Sequence, residues 1–464
     1  MQAQKKNVTQ TYSIISAVYN VAPYLDDYFK SLTKQTLDFK KHIYLILVDD
    51  GSTDNSAEII QAWQQKYPDN IQYIKKENGG QSSARNLGLQ HLTTPWVTFI
   101  DPDDFIHKNY FKEVDNTISN HPENDLALVS CHIQYYFEQY KLYLNRHPLK
   151  TCFKDTDSPS IIHALTEQIQ LSASTAIFKT ELIDNLDLKF DTNIKPNFED
   201  SHFVNSYLIA YADKSIFFLK SAIYYYRRRK SKNSTIDTAW TKKELFDDVL
   251  RLGCRDLFMQ AKQKYGFVPV FVQRAVLYHL AWYYRNLMNH NEQIAFLSKE
   301  EQATFHILLK ELFQEIDVKT IENFDFANIS FFEKYAWSKC YKKMPLDYQT
   351  VFIIKSKEYL IISYYADNQE DIEINIDNVP VTPIVKLKQA HSFVNSLFIN
   401  EYYTKIPIKS QDTFIHIQIN KQTTYLHSGK VEAKNILKIS EIQSDIVKRG
   451  KQTLHNIARK LLLG

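Results

Sequence analysis

The stretch IYLILVDDGSTDNSAEIIQAWQQKY, residues 43–67, decides the fold of the first part of this chain. It opens with a continuous apolar run, Ile43–Val48, which is typical of a strand covered on both faces in a parallel sheet. Asp49 and Asp50 end that run, and Ser52 or Thr53 can cap the helix that follows. The stretch therefore predicts a strand, an acidic turn and a helix in succession.

The same alternation extends over the first hundred residues. Further strands are predicted at Tyr12–Tyr19, Ile71–Ile74 and Trp96–Ile100, with a helix at Ser82–His91. Strands that alternate with helices through short loops predict an α/β, doubly wound, Rossmann-like sheet. In such sheets ligands bind beyond the carboxyl ends of the strands. The acidic turn after residue 48 and a second one, Asp101-Pro102-Asp103-Asp104, therefore mark the edge where a site is expected.

Composition limits the classes of protein that fit. The chain has 464 residues, which at about 150 residues per domain suggests two to four domains. Its formal charge of +3 gives no sign of a nucleic-acid partner, and its four cysteines are too widely spaced to indicate a zinc site or a disulfide framework. We expect a cytoplasmic protein, since neither a signal peptide nor a transmembrane run is evident.

The rest of the chain changes character twice. Residues 1–236 are predicted to form the first domain and residues 237–348 a helical accessory region, and over 349–440 apolar residues follow with a period near two. That period predicts a small antiparallel β domain. Residues 441–464 predict a basic amphipathic helix, which suits peripheral contact with an anionic membrane. The same helix fits docking on the protein, or a linker to a further domain of a longer polymerase.

Three further groups have the chemistry of a site, although each also has an ordinary interpretation. The acids of residues 101–104 suit Mg²⁺ or Mn²⁺, which prefer oxygen ligands, but they also fit a solvated loop. Glu199-Asp200 suits a general base, but also the acidic first turn of a helix. The run Arg227-Arg228-Arg229, with Ser231 and Ser234, suits a diphosphate, but also a basic surface turn.

Taken in their order, these stretches resemble the family 2 glycosyltransferases of the GT-A fold. The resemblance extends over about residues 10–236, so that 1–236 is the implied catalytic domain, and it includes bacterial wall teichoic acid and capsular polysaccharide glycosyltransferases. It rests on six stretches: SAVYNVAPYL (16–25), LVDDGSTDNS (47–56), ENGGQSSARNLGL (77–89), FIDPDD (99–104), NFEDSHF (197–203) and YYYRRRKSKNS (224–234).

The resemblance implies a role for each candidate residue. Asp200 is the base that activates the acceptor, with Glu199 beside it. Asp103 binds Mn²⁺ or Mg²⁺, and Asp104 places the donor sugar. Arg227, Arg229 and Ser234 belong to a loop that closes over the diphosphate. The residues implied to bind the nucleotide are Ala17, Tyr19, Asp50, Asn78, Arg85 and Asp101.

The implied activity is an inverting, metal-dependent hexosyl transfer from a nucleotide sugar, taken to be UDP-linked. The acceptor is a hydroxyl of a cell-surface polysaccharide, a polyol-phosphate polymer or a lipid-linked glycan. A non-catalytic carbohydrate-binding or scaffold protein on a degenerate transferase fold is the alternative. A nucleotidyl transferase would be expected to carry GxGxxG or a Walker A loop, and neither is present. A homo-oligomer and a larger polymerase assembly are both compatible with the sequence.

Overall fold

The structure is a computed structural model, and it describes residues 10–121, 125–154, 158–230, 238–344, 346, 349–355, 358–366, 372–410, 412–419, 424–427 and 436–439. The chain divides into two compact units. The first comprises the described residues of Met1–Leu280 and Leu297–Ile316, and the second those of Ala281–Phe296 and Asp317–Gly464.

A mixed sheet of ten strands forms the centre of the first unit. Its strands are β1 (Tyr12–Val18), β2 (Ile43–Asp49), β3 (Ile71–Lys75), β4 (Trp96–Thr98), β5 (Phe105–Ile106), β6 (Leu126–Phe137), β7 (Leu142–Leu144), β8 (Ser160–Ile161), β9 (Ala176–Lys179) and β10 (Ser215–Arg228). Their order is β3-β2-β1-β4-β9-β6-β10-β5, with β7 beside β6 and β8 beside β10. The first four strands in this order are mutually parallel, as the sequence pattern predicts.

The helices that pack on this sheet do so through apolar side chains. The first helix, for example, buries Leu25, Tyr28, Phe29 and Leu32, which recur at the spacing of one helix face. The helices that begin in this unit are α1 (Ala22–Thr33), α2 (Phe39–His42), α3 (Ser56–Lys66), α4 (Gln81–Leu89), α5 (Tyr110–Asn120), α6 (Thr180–Asp184), α7 (Glu199–Ala210), α8 (Asp256–Tyr265), α9 (Val270–Leu287) and α10 (Lys299–Gln314).

Two features at the edge of this sheet differ from the sequence prediction: the end of the strand before the acidic loop, and the basic run, which was expected in a loop. β4 ends at Thr98 rather than Ile100, and the next two residues stay buried as they lead into the acidic loop. β10 continues to Arg228, because it pairs with β6 as far as the register Arg228 to Phe137. The first two arginines of the basic run therefore lie on a strand and not in the turn after it.

The second unit contains two short helices and two sheets. The helices are α11 (Val318–Glu322) and α12 (Phe331–Trp337). The strands are β11 (Gln349–Lys355), β12 (Tyr359–Tyr365), β13 (Ile372–Ile376), β14 (Val379–Pro380), β15 (Val385–Phe393), β16 (Ser396–Pro407), β17 (Phe414–Ile419), β18 (Thr424–His427) and β19 (Ile436–Lys438).

The strands of the second unit are ordered β15-β16-β12-β11-β18 in one sheet and β14-β13-β17-β19 in the other. All these pairs are antiparallel except that of β11 with β18. The predicted β-rich C-terminal region is therefore present.

The predicted amphipathic helix at 441–464 lies outside the described residues. Among the residues that are described, no helix has both the length and the hydropathy needed to cross a membrane.

Candidate active site

Most of the predicted site residues lie at one edge of the sheet of the first unit. Strands β1, β2 and β4 are parallel, so the loops at their carboxyl ends leave from the same side. Those loops begin near Tyr19, Asp50 and Asp101. Helix α7 begins at Glu199, where the sequence predicts a helix start, and a hydrogen bond from Arg85 to Asp200 holds its first turn at this edge.

Asp50 organises the loop that follows β3. Its carboxylate accepts hydrogen bonds from the backbone N–H groups of Gly79 at 3.0 Å and Gly80 at 2.7 Å, and from the Lys76 ammonium group at 2.7 Å. Gly80 has φ +87°, a conformation that favours glycine and that lets the two N–H groups converge on one carboxylate. Asn78 donates to the Asp50 carbonyl oxygen at 2.9 Å. The contact of Asp50 with a nucleobase stays a prediction.

A buried arginine joins three acidic side chains from separate parts of the chain. The Arg85 side chain is only 2% exposed, and it donates to Asp101 Oδ1 at 2.8 Å and to Asp200 Oδ1 at 2.5 Å. Its Nη1 also lies 3.7 Å from Glu199 Oε1, and its guanidinium stacks over the Phe190 ring at 5.2 Å. This one side chain therefore holds the acidic loop after β4 against the start of α7.

One guanidinium cannot neutralise three carboxylates, and two of these acids have raised pKa values. Burial and the neighbouring Asp200 raise the pKa of Glu199 to about 7, against the lowering effect of Arg85. Burial, Asp200 and Asp103 likewise raise the pKa of Asp101 to about 6, again against Arg85, although about a third of the Asp101 side chain is exposed. Near neutral pH the cluster therefore holds fewer negative charges than its composition suggests.

Replacing Glu199 with glutamine should stabilise the protein above pH 7. The folded-state pKa of Glu199 lies above its ordinary value of 4.5, so the native state binds more protons and stability falls as the pH rises from about 4.5 to about 7. Glu199→Gln removes this loss and should raise the free energy of unfolding by about 1–2 kcal/mol at pH 8, with little change at pH 4.5. Urea unfolding at both pH values measures it. Glu181→Gln, at an exposed glutamate, is the control, and an equal pH dependence in the wild type and Glu199→Gln would contradict the assignment.

The two carboxylate oxygens of Asp200 face different partners. Oδ1 receives the Arg85 hydrogen bond, and Oδ2 accepts from the Ala173 backbone N–H at 3.2 Å and from the Ser172 hydroxyl at 3.4 Å. Neutral donors at these distances bind a carboxylate less strongly than a guanidinium at 2.5 Å. Oδ2 is therefore the oxygen with the greater freedom to accept a proton.

The residue before this acidic pair has an unusual backbone. Phe198 has φ +83°, in the left-handed region that a residue with a side chain seldom adopts. Its ring packs 4.7 Å from the His279 ring and lies so close to Gly253 that a Cβ there would be 2.6 Å from a ring carbon. Such conformations persist only where the surrounding packing imposes them, and they concentrate at functional sites. The packing of Phe198 thus fixes the turn that delivers Glu199 and Asp200.

Asp104 binds the acidic loop to β10. Its side chain is buried, and its two oxygens accept from the Tyr224 hydroxyl and from the Arg227 backbone N–H, both at 2.7 Å. Burial, with Asp103 and Asp101 nearby, raises the pKa of Asp104 well above its usual range. Because both oxygens are committed to β10, the direct contact of Asp104 with a donor sugar stays a prediction.

The arginines after Tyr226 have different environments. Arg227 is buried; its Nε donates to the Asp103 carbonyl oxygen at 2.7 Å and its Nη2 to Asp27 Oδ2 at 2.9 Å. Arg229 forms an ion pair with the Asp103 carboxylate, and its guanidinium lies 4.7 Å from the Tyr24 ring centre. Arg229 is therefore the better placed of the two to meet a ligand beside Asp103.

The remaining predicted residues are less closely connected. Ala17 lies in β1 opposite Val48, and Tyr19 follows the strand with 51% of its surface exposed. Ser234 lies outside the described residues.

Several residues at this edge were not predicted from the sequence. Lys76 lies three residues before Gly79 and contacts Asp50, and Gln81, directly after Gly80, donates a hydrogen bond to Glu199. Tyr224 lies within a quoted stretch, where strand alternation with Tyr226 could have indicated that it points inward. Ser172 belongs to no motif, so no sequence signal could have identified it.

A divalent cation fits this edge only with help from a ligand. Among the described residues, no three histidine, cysteine or acidic side chains lie together to hold a metal ion by themselves. Asp104 is committed to β10, which leaves Asp103 and the exposed part of Asp101 as oxygen donors. Magnesium is commonly held by one or two carboxylates together with substrate phosphates. The donor set therefore suits an ion that arrives with a diphosphate.

The N-terminal part of the chain is similar to a known protein family. Residues 13–170 match the family model described as glycosyl transferase family 2. The chain is 33% identical over 313 residues to the minor teichoic acid biosynthesis protein GgaB of Bacillus subtilis, which covers 68% of this chain and 33% of GgaB. It is 28% identical to GgaA of the same organism, over 62% of this chain and 64% of GgaA. The chain thus spans between a third and two-thirds of these relatives.

Solved structures agree with this likeness at the level of the fold. The structure of S. aureus TarS residues 1–349 in complex with UDP-GlcNAc matches with a TM-score of 0.52 at 21% identity, over 72% of this chain and 88% of the other. The longer TarS structure matches with a TM-score of 0.52 at 16% identity, over 92% of this chain and 84% of the other. The predicted GT-A fold with C-terminal β-sheets is confirmed.

Proposed function

We propose that the protein is a family 2 glycosyltransferase that transfers a hexosyl group from a UDP-sugar to a hydroxyl group of a teichoic-acid-type polymer, since residues 13–170 match the model of that family. The donor class is supported by the TarS structure in complex with UDP-GlcNAc. The acceptor class is supported by GgaB and GgaA, which are named for minor teichoic acid biosynthesis.

One observation carries this proposal: the Arg85 guanidinium touches both the acidic loop after β4 and the acid pair that begins α7. Asp101 and Asp200 bind the same side chain at 2.8 and 2.5 Å. A donor whose diphosphate lies at Asp103 would therefore present its sugar next to Asp200. A transferase needs a leaving-group site and a base side by side, whereas a binding module needs neither.

The reaction we propose is a single displacement with inversion. Asp200 accepts the proton of the acceptor hydroxyl as that oxygen attacks the anomeric carbon, on the face opposite the diphosphate. Arg229, beside Asp103, stabilises the negative charge that develops on the departing nucleoside diphosphate. The same opposite-face logic governs inverting glycosidases. NMR of the product's anomeric configuration would test inversion.

A divalent cation belongs to this proposal. Asp103, with the exposed part of Asp101, would hold Mg²⁺ or Mn²⁺, and the bound ion would neutralise charge on the diphosphate. Such an ion would compete with Arg229 for the Asp103 carboxylate.

The experiment that tests the proposal is a screen of UDP-GlcNAc, UDP-GalNAc, UDP-glucose and GDP-mannose with the full chain, each with and without Mn²⁺. Released UDP is measured with water alone and with poly(ribitol phosphate) as the acceptor. We expect one UDP-sugar to be consumed, faster with an acceptor. Binding without turnover of any donor would favour the alternative of a carbohydrate-binding protein and would overturn the proposal.

Replacing Asp103 with asparagine should remove the metal-dependent part of UDP binding. An amide is a weaker ligand for Mn²⁺ than a carboxylate, and no third acidic side chain is placed to substitute for it among the described residues. Titration calorimetry with UDP should show that Mn²⁺ strengthens binding by about 10-fold or more in the wild type and by less than about 2-fold in the variant. Asp26→Asn, at an exposed aspartate paired with Lys30, is the matched control. An undiminished Mn²⁺ effect in Asp103→Asn would contradict this site.

A further inference from the structure

The segment Gln170–Thr175 lies against the base and is lined with hydroxyl and amide groups. Ser172 donates to Asp200 Oδ2 at 3.4 Å, and its own Oγ lies 2.8 Å from that of Ser174, which is buried. Since one hydroxyl has one proton, Ser174 donates to Ser172 when Ser172 donates to Asp200. The two serines thus form a directed chain of hydrogen bonds that ends on the carboxylate.

Gln170 holds this segment in place through the hydrogen bonds of its side chain. Its side chain is buried; it accepts from the Ser130 hydroxyl at 2.5 Å and donates to the Ser172 carbonyl oxygen at 2.7 Å and to Thr175 Oγ1 at 3.0 Å. Asn205 of helix α7 donates to the Gln170 carbonyl oxygen at 3.2 Å. The segment is therefore tied both to strand β6 and to the helix that bears Asp200, which sets the position of the Ser172 hydroxyl.

We propose that Ser172 is a positioning residue of the transfer reaction, whose hydroxyl orients Oδ2 of Asp200 toward the acceptor hydroxyl. This inference rests on the proposed function. Oδ1 is held by Arg85 in a short, charge-assisted bond, so protonating it would break an ion pair. Among the described residues, the donors to Oδ2 are neutral: the Ala173 N–H belongs to the backbone, whereas the Ser172 hydroxyl can rotate.

The step balances on these atoms. The acceptor hydroxyl gives its proton to Asp200 Oδ2 while its oxygen forms a bond to the anomeric carbon of the donor sugar. The bond from that carbon to the diphosphate oxygen breaks, and its electron pair leaves on the nucleoside diphosphate. Ser172 exchanges no atom in this step, and it acts by holding the accepting oxygen in line. The ligand it serves is any acceptor that attacks through a hydroxyl group, water included.

Ser172→Ala should lower kcat by about 10-fold and leave the KM for the UDP-sugar within about 2-fold of the wild type. Losing a donor to the carboxylate also disfavours its charged form, so the acidic limb of the kcat profile should move up by about half to one pH unit. Hydrolysis of UDP-GlcNAc, or of the UDP-sugar that the wild type consumes, should fall in parallel with transfer to poly(ribitol phosphate).

Two further variants separate orientation from structural damage. Ser172→Thr keeps the hydroxyl, and the extended backbone at this residue, φ −104° and ψ 127°, accommodates a β-branched side chain. This variant should therefore have most of the wild-type kcat, and the acidic limb of its kcat profile should lie at the wild-type pH. Ser221→Ala removes an exposed serine that donates to Glu113 at 3.0 Å, and it should change neither kcat nor the acidic limb of the kcat profile.

The outcomes distinguish this inference from the proposed function. If the wild type consumes no UDP-sugar, the proposed function fails and the inference fails with it. If the wild type is active and Ser172→Ala keeps its kcat, or loses it without a shift of the acidic limb, only the role of Ser172 is overturned. A Ser172→Thr variant as inactive as Ser172→Ala would overturn it as well. A loss with the shift, rescued by threonine, supports it.

Discussion

Replacing Asp200 with asparagine should lower kcat for sugar transfer by about 10²–10⁴-fold, the range that general bases contribute. The amide cannot accept the acceptor's proton, although its oxygen can keep the place of Oδ1 against Arg85. The amide nitrogen would then face the Ala173 N–H, so a small loss of stability is expected too. Initial rates of UDP release, together with calorimetric binding of UDP, measure the effect. Binding of UDP should be kept, since Asp200 touches the acceptor side of the site.

The control for this substitution is a buried aspartate at the opposite end of the same sheet. Asp115 accepts hydrogen bonds from the Gln10 N–H at 2.7 Å and the Tyr12 hydroxyl at 3.1 Å, where β1 begins. Asp115→Asn should cost stability and leave kcat unchanged. Full turnover in Asp200→Asn would sink the assignment of the base. If Glu199→Gln were the variant that lost turnover, the role would pass to Glu199.

The strands and helix starts at this edge that depend on neighbouring residues were predicted from the sequence. An apolar run that ends in two acids and is followed by a helix is a local pattern, and it correctly predicted the order of β2 and α3. The predicted cap at Ser52 or Thr53 was wrong, because α3 begins at Ser56 after Asn55 and has no side-chain cap hydrogen bond. The start of α7 at the Glu199-Asp200 pair was also local, because acids are favoured in the first turn of a helix. Local chemistry thus identified most of the side chains that meet at this edge.

What the sequence could not show is which of these side chains bind one another. Arg85 is 115 residues from Asp200, and no periodicity relates the two positions. The position of Arg227 on a strand was missed for the same reason, since the length of β10 depends on its pairing with β6. Ser172 has no motif, and it is identified only by its hydrogen bond to Asp200. Long-range partners like these are set by packing of the whole unit rather than by neighbouring residues.

If the proposed function holds, the Arg85 cluster should make stability and activity depend on the same side chain. A buried charge without a partner is costly, and here three acids share one guanidinium. The acidic loop and the base therefore keep their positions only while Arg85 stays between them. Any change at Arg85 should affect both folding and turnover, and the two effects can be separated.

Replacing Arg85 with methionine should lower the free energy of unfolding by about 3–5 kcal/mol at pH 8, the cost of leaving a buried charged partner uncompensated. The loss should shrink toward pH 5, because the remaining acids become protonated instead of charged. In Arg85→Met/Glu199→Gln, where one acid of the cluster is neutral, part of the stability at pH 8 should return, which packing alone would not restore. Urea unfolding at both pH values measures these changes. Arg251→Met, which breaks a surface ion pair with Asp247, should stay within about 0.5 kcal/mol.

Arg85→Lys tests the geometry of the cluster apart from its charge. An ammonium group keeps the positive charge, but it lacks the planar fork with which Arg85 binds Asp101 and Asp200 at the same time. We therefore expect stability between those of the wild type and the methionine variant, with turnover reduced nearly as far as in the methionine variant. Since the lysine variant still folds, its low turnover would reflect the lost alignment of the base with the acidic loop. Wild-type turnover in Arg85→Lys, or wild-type stability in Arg85→Met at pH 8, would show that the three acids do not depend on Arg85.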